Sequence, residues 1–524
     1  MTTEREVDWI RDNSGHITAN PHNINELKTL LNTTGPGFCL AKFTQGTLHL
    51  GTGTVHACHH PKTHKISLDE LKDNPNALFN TSQLKQARKE MLTGTRPSEC
   101  DYCWRIEDNG GDSDRFYKSL EPWALKSHDT IKETGAEPDY YPSYLEVDFS
   151  NVCNFACTYC GPEFSSTWAD SLKHNGPIKV LEGTSNEQWI QGWQKDLDTL
   201  VYKNREHNPY VEAFWKWFPE AYKHLKVYRI TGGEPLLSKE TFNSIDWLIE
   251  NPNRELEFSI NSNLGVPDKI WDKFIDKIKI LLENKSVGKL TVFTSVDAWG
   301  KKAEYIRPGL DFELFKKRYE QLVSMGNVRT VIMCAFNIFS ITTIQQLLEW
   351  QVSLKKKYNT NRTAEKIEHE TGFILSTGIP YGIRNQNNIN HESVVGIDIP
   401  YVRNPESMDA KNADRGLIQD YLIPAVTFMV ENTCDYSWNA HQGFELYETE
   451  KFKRVVTTLM HMCNTYEKTD GRELTINRAK LYEYINELDD RHGRNFLEYF
   501  PDMTDFYFLC KEASIRLRNE HDSQ

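Results

Sequence analysis

From residue 143 onward the chain alternates short apolar runs with amphipathic stretches, and this limits the fold more than any other feature. The runs are YLEVDFS (144–150), KVYRITGG (226–233), ELEFSINSN (255–263), KLTVFTSVD (289–297), RTVIMCAFNIF (329–339) and GFILSTG (372–378). Helix-like text such as SKETFNSIDWLIE and ITTIQQLLEWQVSL lies between them. Strand-like runs separated by helices read as βαβ units feeding a parallel sheet. Six of them predict an α/β fold, a partial (β/α)6 barrel over 141–385. By analogy with complete barrels, its site should lie at the C-terminal ends of the strands.

The remaining text is arranged around this block. Residues 1–30 read as a polar, helical lead-in. Within 31–110, TQGTLHLGTGTVHAC reads as a β-hairpin ending at Cys58, and LDELKDNPNALFNTSQLKQARKEMLTG as helical turns. Residues 111–140, with GGDSDRF and TGAEPDYYP, read as a linker. An insertion at about 174–225 carries Trp189, Trp193, Trp215, Trp217 and Phe218 on helix-like text. Its plain reading is a helical pair packed on the barrel; the sharper one is a lid facing substrate. Residues 386–524 read as a mainly helical C-terminal extension, in which NFLEYFPDMTDFY is placed to cap the open side of the barrel.

Composition narrows the classes of function. The 524 residues carry 61 Lys and Arg against 74 Asp and Glu, a formal charge of −13. That balance argues against broad nucleic-acid binding. No apolar run is long enough to span a membrane, and MTTEREVDWIRDNSGH lacks the apolar core of a secretory signal, so the expected location is the cytoplasm. There an odd count of eleven cysteines reads as metal or cluster ligands, not as a disulfide framework.

Seven of the eleven fall in two groups. Cys153, Cys157 and Cys160 form C-x-x-x-C-x-x-C directly after the first strand. Three thiolates on one tight loop can hold three irons of a [4Fe–4S] cube and leave the fourth open to an exchangeable ligand. The plain alternative is a zinc site short of one ligand. One βα unit later, ITGGEPLL supplies Gly232, Gly233 and Glu234, where the glycines permit close backbone approach and Glu234 can accept from an amino group. The plain role of Glu234 is to cap the next turn.

Together these motifs resemble the radical S-adenosylmethionine (radical SAM) superfamily, which also has an aromatic residue where Tyr159 stands. The resemblance implies that Gly232, Gly233 and Glu234 contact the cofactor. It extends to later strand ends, where Asn261, Ser262, Asn263, Ser295 and Asp297 would contact ribose and methionine, and to Arg307, which would pair the cofactor carboxylate. A guanidinium fork suits a carboxylate.

Cys39, Cys58, Cys100 and Cys103 form the second group. Four thiolates from a hairpin and a distant C-x-x-C can close around zinc or a second iron–sulfur cluster. The pattern C…G-x-x-x-x-C followed by R-P-S-E-C-D-Y-C resembles the twitch domain, the short relative of the SPASM domain, which implies an auxiliary [4Fe–4S] cluster. Twitch domains usually follow the barrel; here the group precedes it. His56, His59, His60 and His64 crowd Cys58 and read as surface groups or neighbours of the ligands.

The resemblance implies reductive cleavage of S-adenosylmethionine to a 5′-deoxyadenosyl radical, which takes hydrogen from a peptide, protein or small-molecule substrate. A flavodoxin- or ferredoxin-type reductant would supply electrons, and the auxiliary cluster would assist oxidation or substrate binding. Two other classes stand beside it: a non-catalytic iron–sulfur electron carrier and a zinc-stapled interaction protein. Cys434, in ENTCDYSWNAH, reads as a packed or idle thiol.

Overall fold

A computed structural model describes residues 21–178, 180, 202, 206–359, 393–433, 442–466 and 471–522. The chain is mixed α/β around one nine-stranded, mostly parallel sheet. Its strands are β1 (Gln45–His49), β2 (Thr54–His56), β3 (His64–Lys65), β4 (Tyr144–Asp148), β5 (Val227–Thr231), β6 (Asn253–Ser262), β7 (Val287–Ser295), β8 (Arg329–Met333) and β9 (Val395–Asp398), in the order β3-β2-β1-β4-β5-β6-β7-β8-β9.

Five of the six anticipated runs are strands of this sheet. The sixth, 372–378, lies outside the described residues. The strand pairing beyond β8 is β9, inside the segment read as a C-terminal extension. The N-terminal hairpin forms as expected, with Thr47 opposite His56. It does not stand apart, because β1 pairs parallel with β4 from Gln45–Tyr144 to His49–Asp148. The four-cysteine region is thus one edge of the same sheet.

Strict alternation gives the sheet two unlike faces. Leu48, Val147, Ile230, Ile260 and Val292 share one register row and are fully buried. The next row, one residue back, reads Thr47, Glu146, Arg229, Ser259 and Thr291. One face is therefore apolar and the other polar.

In the N-terminal part, α1 (Pro21–Thr34), α2 (Ser82–Leu92) and α3 (Asp101–Asp108) are followed by α4 (Asp114–Ser119) and α5 (His128–Thr134). The stretch read as a linker is instead packed structure. Its Phe116, Leu120, Trp123 and Ile131 are buried with Leu27, Leu31, Phe38, Cys100 and Cys103. Arg115 explains the departure from its polar text: the guanidinium donates to Phe38 O at 2.9 Å and pairs Glu107 at 2.8 Å, so a charged segment is folded inward.

Helices α6 (Ser166–Asn175), α7 (Pro209–Tyr222), α8 (Lys239–Glu250), α9 (Asp268–Glu283), α10 (Phe312–Ser324) and α11 (Ile344–Tyr358) follow. Several have side-chain caps: Ser165 accepts from Trp168 N, Asn208 from Tyr210 N and Val211 N, and Asp311 from Leu314 N. In the insertion, Trp189 and Trp193 lie outside the described residues. Trp217 and Phe218 on α7 are buried, which is the packed-helix arrangement. The C-terminal part is largely helical, with α12 (Ile423–Glu431), α13 (Leu446–Tyr466), α14 (Arg472–His492) and α15 (Thr504–Asp522). Among the described residues no helix is long and apolar enough to cross a membrane.

Candidate active site

The three-cysteine loop leaves the end of β4 and is held from several sides. Ala156 N donates to Pro308 O at 3.1 Å and Thr158 N to Ile306 O at 2.9 Å. Trp168 of α6 donates to Cys157 O at 2.8 Å, and Ser165 to Phe155 O at 2.6 Å. Tyr484 of α14 donates to the Thr158 carbonyl, so the C-terminal part closes over the loop. Cys157 is buried, and Cys153 and Cys160 are half-buried. Burial, and then the charge of Cys157, push the Cys153 thiol up to about 12. Burial likewise raises Cys157 and Cys160, with Arg307 drawing Cys157 back. Such thiols ionise only against strong positive charge.

The residues expected around this loop gather into two sets. In the first, Arg307 donates to Asp297 at 2.7 and 3.0 Å, to the Tyr159 hydroxyl, and to Cys157 Sγ at 3.5 Å. Tyr159 donates to Asp297 at 2.9 Å. The expectation that Arg307 offers its fork to a bound carboxylate is therefore modified, since Asp297 already occupies two of its nitrogens. In the second set, Glu234 is buried and accepts from Leu236 N at 3.1 Å, Ser262 Oγ at 2.9 Å and Asn263 N at 2.6 Å. Burial pushes its carboxyl up to about 7 despite these donors. The turn-capping role of Glu234 is thus present, joined to a tie onto β6. Asn263 reaches Cys153 Sγ at 3.9 Å and Asn154 Oδ1 at 2.9 Å.

The two glycines are needed for close approach, but to the chain itself. A Cβ on Gly233 would stand 2.4 Å from Val152 O, and one on Gly232, at φ +121°, would stand 2.3 Å from Asp148 Oδ1. Glu234 N then donates to Val152 O at 2.7 Å, clamping the entry to the cysteine loop. Asn261 and Ser295 join neither set. Asn261 accepts from Arg229 Nε at 3.1 Å on the polar face, and half-buried Ser295 ends β7 beside Met333.

The four-cysteine group is also assembled. Cys100 and Cys103 are buried, and Cys39 and Cys58 half-buried. Burial first, then the charges of Cys39 and Cys58, push Cys103 up to about 12; burial and the same two neighbours, against Lys42, push Cys100 up to about 12. Burial raises Cys58 to about 11. Lys42 is buried among them and pairs with Glu99. Among the described residues, three ligand atoms come within 4.8 Å of one another only at His59, His60 and Asp114. Neither cysteine group is drawn that tightly.

Beside Cys58 of the four-cysteine group lies a cavity of about 470 Å³. Cys58 and His59 line it together with Thr231, Gly232 and Asn261, as do His49, His56, Glu146 and Asp148. Its interior is a hydrogen-bonded network. Asp148 faces His49 Nδ1 at 3.4 Å, and His49 and His56 bring their Nε2 atoms to 3.2 Å with parallel rings. Glu146 accepts from Tyr144 at 3.1 Å and Thr231 at 3.0 Å. Burial holds the His56 imidazole down to about 4, so it is neutral near pH 7. Such a wall can bind a polar molecule and pass protons. None of His49, Glu146, Asp148 and Arg229 belongs to a motif. Their only signal is the alternation in QGTLH, YLEVD and VYRIT, which sets polar residues opposite buried Leu48, Leu145, Val147, Tyr228 and Ile230.

The chain matches no family model and no curated protein.

Proposed function

We propose that this chain is a radical SAM enzyme on a partial (β/α) barrel, with a twitch-like auxiliary cluster built into the barrel's leading edge. Cys153, Cys157 and Cys160 would hold the [4Fe–4S] cluster that takes S-adenosylmethionine, and Cys39, Cys58, Cys100 and Cys103 a second [4Fe–4S] cluster. When bound, the cluster and S-adenosylmethionine supply one-electron chemistry able to take hydrogen from an unactivated C–H bond. The observation that supports the reading is a cavity lined both by Cys58 and by Gly232 and Asn261.

The chain's own residues have distinct tasks in this reading. Arg307 fixes Tyr159 and Asp297 and lays a positive charge on Cys157. Glu234 and Gly233 hold the loop entry against β6. Tyr484 and α14 cover the loop and limit water. Glu146, Asp148, His49 and Asn261 would bind the polar part of a peptide, protein or small-molecule substrate. A flavodoxin- or ferredoxin-type protein would be the reductant.

Iron and sulfide content after anaerobic reconstitution tests this, on wild type and on a Cys153/Cys157/Cys160 triple-alanine variant. About eight irons in the first and about four in the second are expected. Cys157→Ala should abolish formation of 5′-deoxyadenosine. Zinc without sulfide in the wild type would overturn both cluster assignments.

A further inference from the structure

We propose that His59, His60 and Asp114 form a three-ligand site for a zinc-class divalent cation at the rim of the cavity, separate from both cysteine groups. The Nε2 atoms of both imidazoles converge on one oxygen, Asp114 Oδ2: His59 approaches to 3.5 Å and His60 lies closer. All three ligand atoms lie within 4.8 Å of one another. Two nitrogen or oxygen ligands on one tetrahedral zinc, each at about 2.0–2.1 Å, stand about 3.3 Å apart, so small side-chain shifts close the set on an ion.

The arrangement is oriented. The His60 ring stacks on Tyr102 with centroids 3.9 Å apart and planes 13° apart, and Tyr102 lies between Cys100 and Cys103. Asp114 is the first residue of α4, behind the Ser113 cap. Three protein ligands leave a fourth position open, the pattern of a site that engages a substrate or water, whereas structural zinc takes four. His59 helps to line the cavity, so that open position lies at its rim. Two imidazoles and a carboxylate suit zinc, cobalt(II) or iron(II) better than the all-oxygen cations.

Cobalt(II) reads the donor set directly. It is titrated anaerobically into the full chain after dialysis against chelator. A nitrogen/oxygen site gives ligand-field bands alone, whereas thiolate ligation adds sulfur-to-cobalt charge transfer. The wild type should take up one equivalent of the first kind. His59→Gln and Asp114→Asn should each weaken that uptake roughly tenfold or more. The His59 side chain is 59% exposed, so its substitution leaves the fold alone, and an unchanged circular-dichroism spectrum checks Asp114→Asn. Cobalt bound only with charge transfer, or nitrogen/oxygen uptake unchanged in both variants, would overturn the site.

Discussion

Glu234 shows how burial turns one carboxyl into a stability term. In the unfolded chain it titrates near 4.5, and in the fold burial moves it to about 7. Its contribution is complete below pH 4.5 and is lost as pH rises through about 7, because the ionised form is disfavoured inside. At about 1.36 kcal/mol per pH unit, that span is worth on the order of 3 kcal/mol. Urea melts between pH 4.5 and 8 should therefore show a falling slope in wild type that Glu234→Gln lacks; parallel curves would refute the shifted carboxyl. Gly53 shows geometry in place of charge. At φ +66°, its added Cβ would stand 2.1 Å from the Tyr210 ring. Gly53→Ala should lower stability by about 1–3 kcal/mol and open the β1–β2 hairpin to limited proteolysis. The glycine in C…G-x-x-x-x-C was visible in the sequence as pattern, but its reason, a ring 157 positions away, was not.

At the scale of elements, the legible parts were those with a strong local period. The hairpin, five strands and the helices between them follow from alternation and from capping residues such as Ser165, Asn208 and Asp311. The packed segment 111–140 was not legible, because its burial rests on distant partners, the apolar Leu27, Leu31 and Phe38 and the Phe38 carbonyl that accepts from Arg115. Strand β9 was also missed: VGID is only four residues long, and Glu448 of α13 accepts from Ile397 N at 2.9 Å beside it. Lys355 of α11 reaches the same carboxylate at 3.0 Å, and both side chains are buried. Lys355→Met should cost about 3–5 kcal/mol by stranding the Glu448 charge, and adding Glu448→Gln should recover most of it. Equal losses in the single and double variants by thermal melting would refute the pairing argument.

In the whole molecule two stretches of chain meet around one polar cavity, and a third reaches the cysteine loop. The N-terminal hairpin contributes His49, His56 and Cys58, the central strands Glu146, Asp148 and Asn261, and α14 reaches the cysteine loop through Tyr484. Tyr484→Phe should lower stability by about 1–2 kcal/mol, since a buried carbonyl loses its donor, and, on the function proposed above, should speed loss of iron from the three-cysteine site in air. Iron retention equal to wild type would show that α14 does not protect the loop.

The sequence by itself determined the parallel α/β character, the hairpin and the two cysteine groups, because alternation, turn chemistry and close spacing act over a few residues. Tertiary structure alone decided that the hairpin extends the sheet, that Arg307 meets Asp297 and Cys157, and that Cys58 and Gly232 share a cavity. Those contacts join positions tens to hundreds of residues apart. They arise from packing between elements far apart in the chain, which no local pattern encodes.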